Sequence, residues 1–66
     1  MRLDRKVAAI RRELRERLMA ERADGVDDVL GRLWALAEED ADLRPEHARW
    51  AMRFEILSFA AAGRAR

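Results

Sequence analysis

The chain lacks cysteine entirely and contains only one proline and three glycines in its 66 residues. Without cysteine it can form neither a disulfide nor a thiolate metal site. It also lacks any apolar run that approaches the roughly 20 residues needed to cross a bilayer, since its longest, segment 56–62, is interrupted by Ser58. The basic N-terminus is not followed by a continuous apolar stretch, which argues against a signal peptide. We therefore expect a cytoplasmic protein with no membrane-spanning segment.

Residues that carry catalysis are equally scarce, because the chain has one serine, Ser58, and one histidine, His47. It has no glycine-rich phosphate loop and no serine–histidine arrangement. A metal-binding histidine on a helix usually has a carboxylate or a second imidazole one turn away, but Arg44 and Ala51 occupy those positions. We expect His47 at the rim of an apolar face or in solvent. The sequence thus predicts no enzyme, no cofactor and no metal ion.

Four carboxylates crowd the end of the second predicted helix, at Glu38, Glu39, Asp40 and Asp42. Their spacing does not match a calcium-binding loop, which also needs a central glycine. Acidic side chains are mildly unfavourable at a helix C-terminus because they lie near its negative end. We therefore expect arginines of the first helix, or Arg44 and Arg49, to neutralise them.

Charge alternates along the chain although its net charge is only +1. Residues 1–23 carry eight basic and four acidic groups, residues 24–42 carry one and seven, and residues 43–66 carry five and two. This alternation favours helices of opposite charge lying side by side. Arginine and alanine occur thirteen times each and lysine once, a bias that suits helices and hints at a GC-rich bacterial or phage genome.

Apolar spacing predicts an all-α chain with three helices, at about 3–23, 26–40 and 45–62. In the first, apolar residues recur every three or four positions on one narrow stripe: Leu3, Val7, Ile10, Leu14 and Leu18. The second has a wider apolar face, made of Val26, Val29, Leu30, Leu33, Leu36 and Ala37. Short connections favour an antiparallel bundle, so residues 1–66 are predicted to form a single small helical domain.

Glycine, proline and aspartate mark the predicted helix ends. Asp24-Gly25 should close the first helix, because glycine accepts the left-handed conformation, and Asp24 should cap the second. Pro45 suits the first turn of the third helix, where its missing N–H is not needed. Gly63 should end that helix, which leaves residues 63–66 as a frayed tail.

The third predicted helix is apolar on two opposite sides. At 100° per residue, one side holds Trp50, Phe54, Leu57 and Ala61, and the other holds Met52, Ile56 and Phe59. A helix that is apolar on two faces is buried on both, and 66 residues leave little chain to cover the second face. The pattern allows either side to face outward. Because the bulkier Trp50 side suits an internal core, we assign Met52, Ile56 and Phe59 to a partner interface.

These features predict a small helical protein–protein interaction protein without catalytic activity of its own. It would be a dimeric adaptor, regulator or small subunit that presents apolar helix faces. Dimerisation would complete the bundle, most simply with two-fold symmetry. A heterologous protein partner is the other arrangement that the pattern allows.

The arginines of the first helix suggest an alternative, a regulator that binds nucleic acid. The candidate contacts are Arg11, Arg12, Arg15 and Arg22, and arginine pairs well with phosphate. Glutamates at positions 13, 16 and 21 interrupt this basic field, whereas nucleic-acid domains are usually strongly basic. The third helix is also too apolar to read base edges. The same interleaving of charges argues against a membrane-surface role.

Overall fold

The computed structural model describes residues 2–64 of the chain, with side chains for residues 3–63. It contains α1 (Arg2–Met19), α2 (Val26–Glu39) and α3 (Leu43–Arg64), and no strand within that range. The predicted all-α fold of three helices is confirmed. The second helix packs against both of the others, and α1 and α3 meet over a smaller area.

One hydrophobic core joins the three helices. Its buried members are Val7, Ile10, Leu14, Val26, Val29, Leu33, Leu36, Ala37, Leu43, Trp50 and Phe54, with Leu3, Leu18, Leu30 and Leu57 packed around them. The whole predicted stripe of α1 therefore faces the other two helices, as a stripe spaced by three and four residues should. Leu14 and Leu33 are fully buried and form the centre of the core.

The first helix ends at Met19, about four residues before the predicted end near Ala23. Two hydrogen bonds close it, from the Arg22 N–H to the Arg17 carbonyl at 2.8 Å and from the Glu21 N–H to the Leu18 carbonyl at 3.1 Å. This is a Schellman closure, in which the residue after the cap is left-handed. Glu21 takes that conformation, with φ of 55°. The predicted end was wrong because the left-handed residue that closes α1 is Glu21, which has no particular preference for that conformation, and not Gly25.

Gly25 instead begins α2, where it is the N-cap residue with φ of 72°. No side chain caps this helix, so the predicted capping role of Asp24 is wrong. The Asp24 carboxylate accepts two hydrogen bonds from Arg22, at 3.0 and 2.8 Å, and this contact lowers the pKa of Asp24. Arg17 crosses the same turn and donates from Nε to the Asp24 carbonyl at 3.1 Å.

The connection between α2 and α3 is a tight turn built on Asp40. Its carboxylate accepts a hydrogen bond from the Asp42 N–H at 3.1 Å, and its carbonyl accepts one from the Leu43 N–H at 3.0 Å. As a result α3 starts at Leu43, two residues before the predicted start at Pro45. The proline still lies in the first turn, where no intrahelical donor is required.

Gly63 does not end α3, which continues to Arg64; the rest of the predicted frayed tail, residues 65 and 66, lies outside the described residues. The third helix is the longest, at 22 residues, or about 33 Å. Leu57 is its last half-buried residue, and residues 58–63 are all exposed. The C-terminal part of α3 therefore extends beyond the cover that α1 and α2 provide.

Candidate interaction surface on the third helix

The two apolar sides of α3 lie in different surroundings. Trp50 and Phe54 are in the core, with 7% and 4% of their surface exposed. On the opposite side, Met52, Ile56 and Phe59 are exposed to 59%, 63% and 84%. We call these last three residues the outer face of α3. Large apolar side chains that share one helix face and remain in water are a marker of interaction sites.

Trp50 sets the rotation of α3 about its own axis. Its indole Nε1 donates a hydrogen bond to Glu46 Oε2 at 3.2 Å, so the buried ring keeps a polar partner. The Arg53 guanidinium lies over the ring at 5.0 Å from its centroid, and the Phe54 ring packs at 6.4 Å. These partners all lie on α3 and orient the Trp50 ring on the helix, whereas burial of Trp50 and Phe54 in the core shared with α1 and α2 fixes the rotation of α3. With Trp50 held inward, Met52, Ile56 and Phe59 must point away from the core.

Glu46 ties this arrangement to α1. Arg11 donates two hydrogen bonds to its carboxylate, one of them from Nε to Oε2 at 2.7 Å. These bonds lower the pKa of Glu46, the Trp50 indole adds to the effect, and burial opposes it. The sequence did not predict this role of Glu46. The four-residue spacing from Glu46 to Trp50 was the available signal, whereas Arg11 lies 35 residues away and only the fold brings it close.

A shallow apolar groove adjoins the outer face of α3. It lies between the end of α1 and the second half of α3 and is lined by Leu18, Glu21, Arg53, Ile56, Leu57 and Ala60. Met19, which directly follows Leu18, is 80% exposed. Apolar surface therefore continues from Ile56 to Leu18 in the last turn of α1, although the sequence pattern placed Leu18 only on the stripe that faces the other helices.

A second aromatic contact lies at the junction of α2 and α3. Trp34 is 46% exposed, and its ring lies 5.0 Å from the His47 ring at an interplanar angle of 59°. His47 is half-buried at this edge. Among residues 2–64, no cluster of three or more histidine, cysteine or acidic side chains could hold a metal ion.

The four candidate arginines for nucleic-acid contact have different surroundings. Arg11 is engaged by Glu46, and Arg22 is engaged by Asp24. Arg12 and Arg15 are exposed, and neither makes an ion pair within the described part of the chain. Two of the four guanidinium groups are thus already paired with carboxylates of the chain, which weakens the basic face that the nucleic-acid hypothesis requires.

The expected neutralisation of the acidic cluster is wrong. In the part of the chain that the structure describes, its four carboxylates make no ion pair. The helices are bridged instead by Arg11–Glu46 and by Arg32–Glu13, the latter at 2.9 Å. Arg32 is the one basic residue of an acidic segment. Pairing follows which positions face each other across the bundle, and the net charge of a segment does not decide it.

None of the described helices combines the length and the hydrophobicity that crossing a bilayer requires. Comparisons of the chain with models of known protein families, with curated proteins and with solved structures found no match.

Proposed function

We propose that this chain is a small protein–protein interaction protein that acts through the outer face of α3. It would serve as an adaptor, regulator or small subunit, with no catalytic activity of its own. We place it in the cytoplasm of a bacterium, or of a cell infected by a phage. The observation that carries the proposal is the exposure of Met52, Ile56 and Phe59, each more than half accessible to water on a single helix face.

Two further observations support this proposal. The exposed face belongs to a helix whose rotation is held by the burial of Trp50 and Phe54 and by the ion pair of Glu46 with Arg11 of α1, so the apolar side chains cannot turn inward without breaking those contacts. The surface is also continuous with the groove beside Leu18. A pre-formed apolar surface loses little conformational entropy on binding, which favours affinity.

The test is site-specific photo-crosslinking in cells of the source organism. A photoreactive phenylalanine analogue replaces Phe59, and the matched control carries it at Glu38, an exposed position of α2. We expect a discrete adduct from position 59, either with a second copy or with one other protein, and no such adduct from position 38. Equal, diffuse labelling from both positions would refute the proposal.

A further inference from the structure

We infer that the occupant of the outer face of α3 is the same face of a second copy of this chain, with the two α3 helices antiparallel. This inference rests on the proposed function and specifies its partner. Three observations support it: the amount of surface that the chain exposes, the wholly apolar composition of the face, which allows it to pair with itself, and the position of Arg49 beside it.

The chain exposes more surface than a compact monomer of its mass, by about the amount that one partner buries in a dimer. The chain exposes 5145 Å², whereas the scaling of surface with mass gives about 4300 Å² for a folded monomer of 7.7 kDa. The excess is close to the roughly 800 Å² that each partner contributes to a standard interface. The radius of gyration, 12.6 Å, likewise exceeds the roughly 10.8 Å of a compact domain of this length.

The outer face of α3 can pair with itself. Its three large residues are all apolar, so two copies brought together leave no charge buried and unpaired at the centre. Two-fold dimers use the same patch on both subunits and are the commonest oligomers. The extension of α3 over residues 58–63, exposed throughout, gives each copy a length of helix that its own α1 and α2 do not cover.

The direction of the two helices follows from Arg49, which is exposed one turn before Met52. In a parallel two-fold pair each residue meets its own copy, so two Arg49 guanidinium groups would lie together, and like charges repel. An antiparallel pair overlapping along all of α3 places Met52 opposite the second copy's Ile56. It also places Arg49 opposite the second copy's Phe59, where a cation–π contact replaces the repulsion. The opposed dipoles of two antiparallel helices also favour the antiparallel arrangement.

The absence of cysteine makes the inference directly testable. Pro45 and Gly63 are exposed on the same side of α3 as the outer face, near its two ends, and space around Gly63 is open. Two variants, Pro45→Cys and Gly63→Cys, are mixed under mild oxidation. Because a disulfide needs Cα atoms within about 7 Å, we expect the mixed 45–63 product to form at least about tenfold faster than either self-linked product.

The control for chance collisions is Glu38→Cys on α2, which we expect to form disulfides only slowly. Faster self-linking of Pro45→Cys and Gly63→Cys would overturn the antiparallel arrangement. Sedimentation equilibrium over micromolar concentrations separates the remaining outcomes. A monomer at every concentration overturns the second copy as partner. If the position-59 photoadduct then contains another protein, the proposed function stands, and if no specific adduct forms, it fails as well.

Discussion

Arg11 of α1 and Glu46 of α3 form a bidentate ion pair across the bundle, and the same carboxylate accepts a hydrogen bond from the Trp50 indole. Glu46 thereby connects a surface arginine to a buried ring. The glutamate side chain is 14% exposed and that of Arg11 is 44% exposed, so the pair lies at the boundary between core and solvent. This contact holds α3 in the rotation that leaves Met52, Ile56 and Phe59 outside.

Replacing Glu46 with glutamine tests the strength of this contact. Glu46→Gln should lower the free energy of unfolding by about 1 kcal/mol, because a charge-assisted hydrogen bond is weakened while solvent screens part of the lost attraction. Urea unfolding at fixed protein concentration measures the change. Glu38→Gln is the matched control, since Glu38 is exposed and makes no ion pair in the described region. An equal effect of both substitutions would contradict the assigned role.

The Glu46 pair should also make the fold sensitive to acid. The pKa of Glu46 is lowered in the folded state, so the folded chain binds this proton less readily than the unfolded chain does. Its contribution is therefore complete above the unfolded value of about 4.3 and is lost as the pH falls through the lower folded pKa. Between about pH 6 and pH 3, the free energy of unfolding should fall less in Glu46→Gln than in the wild type. Identical pH profiles would count against this account.

The two apolar sides of α3 should respond differently to the same substitution. Phe54→Asp buries a charge in the core and should abolish the cooperative fold, since removing a buried phenylalanine alone costs about 3–5 kcal/mol. Phe59→Asp changes a side chain that is 84% exposed and should keep the helical content while abolishing self-association. Circular dichroism reports the first property and light scattering the second. A Phe59→Asp variant that still dimerises would show that another surface mediates assembly.

Two glycines should give opposite results when changed to alanine. Gly31 lies within α2 with nothing near the position of an added Cβ, so Gly31→Ala should raise the free energy of unfolding by about 0.5–1 kcal/mol. Gly25 has φ of 72°, and an added Cβ would lie 3.4 Å from the Arg17 guanidinium, so Gly25→Ala should destabilise by about 1–2 kcal/mol. Thermal unfolding compares the two. A stability loss in Gly31→Ala would indicate that another helix approaches α2 closely.

The nucleic-acid alternative has a direct test in the two unpaired arginines. Because the proposed function requires no contact with nucleic acid, fluorescence anisotropy with duplex DNA, single-stranded DNA and RNA should show no binding at low salt. Binding that weakens steeply with salt and is lost in Arg12→Ala/Arg15→Ala would favour the alternative, because each phosphate contact releases counterions. Arg44→Ala, an exposed arginine on α3, serves as the control for a general loss of positive charge.

Features of this chain that repeat over several helical turns could be predicted from its sequence, whereas features that depend on one residue or one contact could not. The stripe from Leu3 to Leu18 identified α1 because spacing by three and four residues repeats over several turns. The end of α1 depends on the conformation of one residue, Glu21, and propensity does not predict a left-handed glutamate. The predicted ion pairs were wrong for a similar reason. Arg32 pairs with Glu13 because the rotations of α1 and α2 bring the two side chains together.

By itself, the sequence determined that the chain forms three helices and that α3 is apolar on two opposite sides, because both properties follow from the periodicity of one segment at a time. Which of those sides is internal was settled by the packing of the three helices. That choice depends on the burial of Trp50 and Phe54 in the core shared with α1 and α2 and on the pairing of Glu46 with Arg11, 35 residues earlier in the chain. The bulk of the Trp50 side favoured the same arrangement, but the periodicity of α3 allowed either, because the rotation of a helix is set by its contacts with other helices.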